Sequence, residues 1–442
     1  MASSGSASSN PKEEGDLAGT EPIAAVPGWE RPAVIIDRDF TYVQLEVEEI
    51  DHSKALYICI SERKTKEGKW AEHHTIKAIK LSDLFSETSS HYSPLPLRQV
   101  ACQEMTDYPS RASCGVYGSQ IFFSSGRYIY VYDTDTNHDG PDSAGFTKII
   151  PGLPERKIRP LLVELARKLY ALDFSPGDAK SFEVYDPKEG IWSPLPLPPT
   201  WVLGEGVHLQ LPCFAVTGTK IYYTIRETPA EDSDSDSDPN TMVFCFDVSD
   251  PNREWRQIPA FFWSTLSPDA AESPCPCIPF DGTALIMELN VGNDDLKLML
   301  TYSYGSEVLI EAYLLSSSEE KARLISSITE DMTKLPLLNL EFKRPRSYKL
   351  VDLGSQRACL ILSSFERTIS VLNDPKMNNL VTLVIPFKIL CNTYCSQFKF
   401  IFFPTCYLKN NAKTDPLAYC DVYGCFVLPA KWQEVDDEQH SE

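Results

Sequence analysis

The chain has 442 residues, with 62 acidic against 41 basic side chains and a formal charge of −21. That balance argues against a general affinity for nucleic acid or anionic membrane, because both reward excess cations. No apolar run approaches the ~18–20 residues of a membrane-spanning helix, and the first thirty residues hold no basic-then-apolar signal region, so a soluble intracellular protein is expected.

The thirteen cysteines sit mostly in apolar runs such as Tyr57-Ile58-Cys59-Ile60 and Val243-Phe244-Cys245-Phe246, and no N-x-[ST] sequon occurs. Both facts point to reduced, buried thiols and to the cytoplasm or nucleus.

In chain order, residues 1–28 are too poor in large apolar side chains to offset the entropy of ordering and read as a disordered tail. Ala33–Ile36 and Tyr42–Val47 read as strands around a polar turn. Tyr57–Ile60 and Ile76–Leu81 continue the pattern, with Arg63–Glu72 expected as a charged loop and His73-His74 as solvated side chains at its end.

A repeat then begins: a Gly-Ser or Gly-Thr turn, an apolar strand, a second strand ending in an aromatic and Asp, then often a Trp and a Leu-Pro or Ile-Pro corner. The first copy holds Gly118-Ser119, Ile121–Phe123, Tyr132-Asp133 and Leu153-Pro154. The second has Leu169–Leu172, Tyr185-Asp186, Trp192 and Leu195-Pro196, with Ala166-Arg167 at the turn. The third has Gly218-Thr219, Ile221–Tyr223, Phe246-Asp247, Trp255 and Ile258-Pro259. Strand starts at positions 121, 169 and 221 lie 48 and 52 residues apart, near the ~50-residue unit of one propeller family.

Later copies are weaker. Gly282-Thr283 and Gly354-Ser355 repeat the turn, but their glycines fall 64 and 72 residues beyond the preceding ones, and the Tyr-Asp and Trp positions are lost. An amphipathic helix within 317–333, carrying Leu324, Ile325 and Ile328 on one side, is expected to account for the stretch. Strands over Phe398–Phe403 and Tyr419–Leu428 precede an acidic tail at 432–442. A lone meander cannot bury both faces, so like units must stack. The expected fold is all-β: a single propeller over residues 29–431, with six blades, or seven as the alternative count. An N-terminal strand is expected to close the ring against the last sheet.

The Gly-turn, Tyr-Asp, Trp and Leu-Pro pattern resembles the kelch repeat of the galactose oxidase type, in particular the degenerate plant kelch proteins often found behind an F-box. The usual Gly-Gly doublet is replaced here, and no F-box-like module precedes the ring. The resemblance implies a kelch-like propeller and, for its F-box relatives, a substrate-recruiting role in a ubiquitin-ligase complex.

Chemistry-bearing patterns are few. Asp135, Asn137 and Asp139 with Gly140 match the first half of a calcium loop, but Phe146 replaces the closing bidentate Glu, so a hairpin loop is the simpler reading. Cys391, Cys395, Cys420 and Cys425 offer zinc-like spacings without a nearby His, and buried thiols are the simpler reading. His208 is the one histidine kept as a candidate site residue. Ser233, Ser235 and Ser237, in the acidic loop 228–240, match acidophilic-kinase sites. No cofactor, metal or catalytic residue is assigned. The leading expectation is a monomeric, non-enzymatic module binding a protein or peptide through propeller loops. The alternatives are an enzyme or small-ligand binder using the central funnel, or the ubiquitin-ligase subunit just named.

Overall fold

The computed structural model describes residues 50–66, 69–85, 93–94, 97–105, 113–125, 128–135, 146–149, 152–154, 157, 160–173, 181–198, 208–209, 213–228, 241–258, 262–263, 283–291, 294–304, 308–315, 322–330, 347–365, 380–392, 397–410 and 420–430. The expected tails and the runs Ala33–Ile36 and Tyr42–Val47 lie outside these residues.

The described chain opens with β1 (Lys54–Lys66), β2 (Lys69–Lys80), one helical turn α1 (Leu81–Leu84), β3 (Ser93–Pro94) and β4 (Arg98–Met105). Two meanders follow: β5 (Ser113–Tyr117), β6 (Gln120–Ser125), β7 (Tyr128–Asp133) and β8 (Phe146–Ile149), then β9 (Leu161–Leu165), β10 (Lys168–Leu172), β11 (Phe182–Asp186) and β12 (Ile191–Pro194). After β13 (His208–Leu209) come β14 (Cys213–Thr217), β15 (Lys220–Thr228), β16 (Thr241–Asp247) and β17 (Trp255–Ile258). Next are β18 (Phe262–Trp263), β19 (Thr283–Val291), β20 (Asp294–Tyr304), β21 (Val308–Leu315) and β22 (Ala322–Glu330). The last are β23 (Ser347–Gly354), β24 (Arg357–Phe365), β25 (Leu380–Asn392), β26 (Gln397–Phe402), β27 (Cys406–Asn410) and β28 (Cys420–Pro429).

These strands form a β-propeller. Sheet 1 has the order β28-β1-β2-β4; sheets 2 and 3 are the meanders β5–β8 and β9–β12. Sheets 4 (β14–β17) and 5 (β19–β22) join where β14 and β19 pair in parallel, and sheet 6 is built on β23-β24-β25-β27. Among the described residues, an apolar core lies between each sheet and the next: 1 with 2, 2 with 3, 3 with 4, 4 with 5, 5 with 6, and 6 with 1. The cores therefore run full circle, burying the apolar faces that single meanders leave open.

β1 shows how sequence writes this arrangement. Its alternate residues Leu56, Ile58 and Ile60 face sheet 6 and Ala55, Tyr57 and Cys59 face sheet 2. A strand buried on both faces reads as a continuous apolar run rather than an alternating one. Leu56, Ile58 and Ile60 are fully buried, each contributing about 1.5–3 kcal/mol.

The ring is closed by β28, which enters sheet 1 beside β1 in a ladder from Lys54↔Pro429 to Glu62↔Cys420. The segment between β2 and β4 adds a clasp. Leu81, Leu84 and Phe85 are buried in the core shared with sheet 6, Phe85 meets Phe403 edge-on at 4.8 Å, and β3 pairs with β27.

The repeated motif has a mechanical meaning. Gly118 and Gly218 have φ of +57° and +53°, as the first position of a two-residue Gly-X hairpin requires. Ser119 and Thr219 then donate their hydroxyls to Asp133 (3.2 Å) and Asp247 (2.8 Å), tying the first hairpin to the end of the third strand. The Thr134 and Val248 amides donate to the Ser119 and Thr219 carbonyls. In the second copy Pro187 holds the equivalent place and has no N–H to give.

Three sequence expectations are corrected. Arg63–Glu72 is not a loop: Arg63–Lys66 and Lys69–Glu72 are paired strand, with only Glu67-Gly68 between Lys66 and Lys69. His74 is not solvated but 1% exposed, because it alternates in phase with Ile76 and Ala78. No helix forms in the described part of 317–333: Ala322–Glu330 is β22, paired antiparallel to β21 around a bulge at Ala312/Tyr313. Its β-branched Ile325, Ile328 and Thr329 suit the pleat, and the ladder satisfies a backbone that an isolated short helix would hold weakly.

Candidate functional site

A four-stranded meander sends its connections out at two ends. At one end lie the hairpins between first and second strands, which are two-residue turns at Gly118-Ser119, Ala166-Arg167, Gly218-Thr219 and Ser355-Gln356, together with the longer connections between third and fourth strands, such as 134–145 and 248–254. The other end receives the hairpins between second and third strands and the crossovers to the next sheet. These include 174–180, 229–240 and 366–379, and the crossovers 195–212, 259–282 and 331–346. Long connections on a rigid ring are where binding residues concentrate.

The end that receives the second-to-third hairpins and the crossovers carries the acidic run. The acidic run with Ser233, Ser235 and Ser237 falls between β15 and β16, the sheet-4 position expected for it, although these serines lie outside the described residues. β13 pairs with β15 through His208↔Thr228 and Leu209↔Glu227, so the His208 backbone is stitched to the strand that leads into the run. Basic Lys343–Arg346, also outside the described residues, directly precedes β23.

Beneath the 174–180 hairpin lies a polar cluster that sequence reading missed. Lys157, in the crossover from sheet 2, is fully buried, its Nζ 2.9 Å from Glu183 Oε2 and hydrogen-bonded to Ser181 Oγ. The Asp173 amide donates to the Ser181 carbonyl at 3.0 Å, closing the hairpin. Glu183 stands opposite Ala171 in the ladder, on the face turned to sheet 2. As arranged, the cluster fixes a crossover against a hairpin. No local motif could have revealed it, since its members are distant in sequence.

A second buried carboxyl, Glu311, accepts from Tyr313 Oη at 2.8 Å between sheets 4 and 5. Burial raises its pKa, outweighing that hydrogen bond. Three carboxylates on inner strands have local partners. Glu164 accepts from the Gly118 amide at 2.7 Å, Glu288 pairs with Lys297 at 3.3 Å, and Asp352 accepts from the Gly354 amide at 2.8 Å.

The remaining sequence candidates are dispersed. Asp135 closes a turn, its amide donating to Asp133 at 2.9 Å; Asn137 and Asp139 lie outside the described residues. Cys391 is on β25 of sheet 6, Cys420 and Cys425 are on β28 of sheet 1, and Cys395 lies outside the described residues. Among the described residues no three His, Cys, Asp or Glu side chains are grouped to hold a metal.

No family model matches the sequence, and no curated protein matches it. Solved structures with similar folds include a proposed 6-phosphogluconolactonase from Bacteroides fragilis: 10% identity, 81% of this chain, 98% of that one, TM-score 0.33. An α-L-arabinanase from Penicillium chrysogenum gives 10%, 70%, 88% and 0.32. A GH32 β-fructofuranosidase from Bombyx mori gives 10%, 67%, 63% and 0.32. Likeness at this level carries no activity across; the propeller assignment stands on the sheets and their cores.

Proposed function

We propose that this propeller is an interaction module that holds a protein or peptide partner at its loop-bearing end. The observation that carries the reading is the set of long connections between second and third strands and between sheets, among them the acidic 229–240 between β15 and β16. An acidic run at 231–238 favours a partner rich in Lys or Arg, with affinity that falls as salt rises. Glu164, Glu288 and Asp352 of the inner strands each have a local partner, the Gly118 amide, Lys297 and the Gly354 amide. The reading puts the protein in the cytoplasm or nucleus, in keeping with the free thiols of Cys59, Cys359 and Cys425.

The test is affinity capture from cell extract at modest salt, comparing the intact chain with one whose residues 229–240 are replaced by a Gly-Ser linker. A stoichiometric basic partner that is lost with the replacement is the expected result. Capture of no specific partner, or of one indifferent to the replacement and to salt, overturns the reading.

A further inference from the structure

His74 is the one buried histidine among the described residues. Its ring lies 5.4 Å from Phe123 of β6 and 6.5 Å from Tyr423 of β28, wedged in the seam between sheet 1 and sheet 2. Sheet 1 is also the sheet through which β28 closes the ring, so the residue sits at the joint where the two ends of the propeller meet.

The surroundings favour a neutral imidazole. Tyr57 and Cys59 of β1, Tyr423 of β28, Cys114 of β5, and Tyr130 and Tyr132 of β7 share its core, with Phe146 of β8. Burial pushes Tyr57, Tyr132 and Cys59 further toward their uncharged forms. Glu62 and Glu104 are register partners of His73, whereas Ser61 and Gln103 are those of His74 itself. Asp421 is the register partner of Ser61 in the next ladder. Burial, with a smaller contribution from His73, lowers the His74 pKa from 6.5 to about 4.

We propose that this seam is an acid-sensitive joint: protonation of His74 parts sheet 1 from sheet 2 while the remaining sheets stay packed. The folded pKa is depressed, so the stabilisation is fully present above the unfolded value of 6.5 and is lost as pH falls through the folded value. An opened seam rehydrates the ring and binds the proton more tightly. Between pH 7.5 and pH 5 the opening constant should therefore rise about thirtyfold.

Amide hydrogen exchange across that range, corrected for intrinsic rates, tests the proposal. Protection is expected to fall about thirtyfold in β2, β5 and β6 while β15, β16, β20 and β21 keep theirs. His74→Phe, with His74→Leu as a second choice of apolar replacement, should make protection in β2, β5 and β6 independent of pH. A parallel loss in all sheets of the intact protein, constant protection in the seam, or a pH dependence that survives either substitution overturns it.

Discussion

Trp255 Nε1 donates to the Pro196 carbonyl across 2.8 Å, joining the outer strand of sheet 4 to the corner that follows the outer strand of sheet 3. The Trp of one repeat is thus mated to the Leu-Pro corner of the repeat before it. Phe182 of sheet 3 and Phe246 of its own sheet flank the indole at 5.7 and 5.2 Å.

Trp255→Ala should therefore cost up to about 3 kcal/mol, the low end of the range for deleting a buried aromatic, because the indole is half-buried. Trp255→Phe keeps most of the contact and loses the hydrogen bond, costing about 1 kcal/mol more than any repacking. Urea unfolding of both variants measures the difference. Equal losses would mean that the indole N–H, rather than ring packing, carries the contribution.

What could be read from sequence follows from which interactions are local. Gly118-Ser119 and Asp133, or Gly218-Thr219 and Asp247, touch within one meander, so their spacing survives as a pattern. His74 carried a usable signal in its period-2 alternation with Ile76 and Ala78, masked by flanking His73 and Glu72. The β22 sequence is ambiguous because Leu324, Ile325 and Ile328 fit a helical face as well as a strand, and only pairing with β21 decides between them. Lys157 offered nothing, because its partners Ser181 and Glu183 arrive from another sheet and a lone Lys in a loop reads as solvated.

The second repeat should be improvable at its turn. Ala166 and Arg167 hold φ of +48° and +59°, both in the left-handed region that non-glycine residues enter at a cost. Replacing the pair with Asn-Gly, the preferred residues for a hairpin with two positive φ values, should stabilise the protein by about 1 kcal/mol. The Tyr117 hydroxyl donates to the Arg167 carbonyl at 3.3 Å, a backbone contact that the change retains. Thermal unfolding should show a higher midpoint; a lower one would show that the Arg167 side chain contributes more than the turn strain removes.

Two glycines should respond differently to Ala. A Cβ on Gly115 would stand 2.4 Å from Leu162 Cβ and 2.5 Å from the Leu162 carbonyl oxygen, because β5 and β9 meet there backbone to backbone. Gly115→Ala must push the two strands apart, costing about 1–3 kcal/mol. Trimming Leu162 should not rescue it, since the carbonyl remains. Gly118 has open space around it and only its positive φ to defend, so Gly118→Ala should cost about 1 kcal/mol. Denaturation midpoints for both variants give the comparison.

The Lys157–Glu183 pair makes the sharpest contrast between single and double changes. Both side chains are buried, and Ser181 Oγ is the other partner of the ammonium. Lys157→Met alone strands a carboxylate in the core between sheets 2 and 3 and should cost about 3–5 kcal/mol, as should Glu183→Leu alone. Lys157→Met with Glu183→Leu removes both charges and both desolvation penalties, so it should recover most of that loss. A double-mutant cycle in urea would then show strong coupling. If the double variant were as unstable as the sum of the singles, the cluster would contribute through packing and not through charge compensation. The crossover carrying Lys157 would then need another anchor at the loop-bearing end.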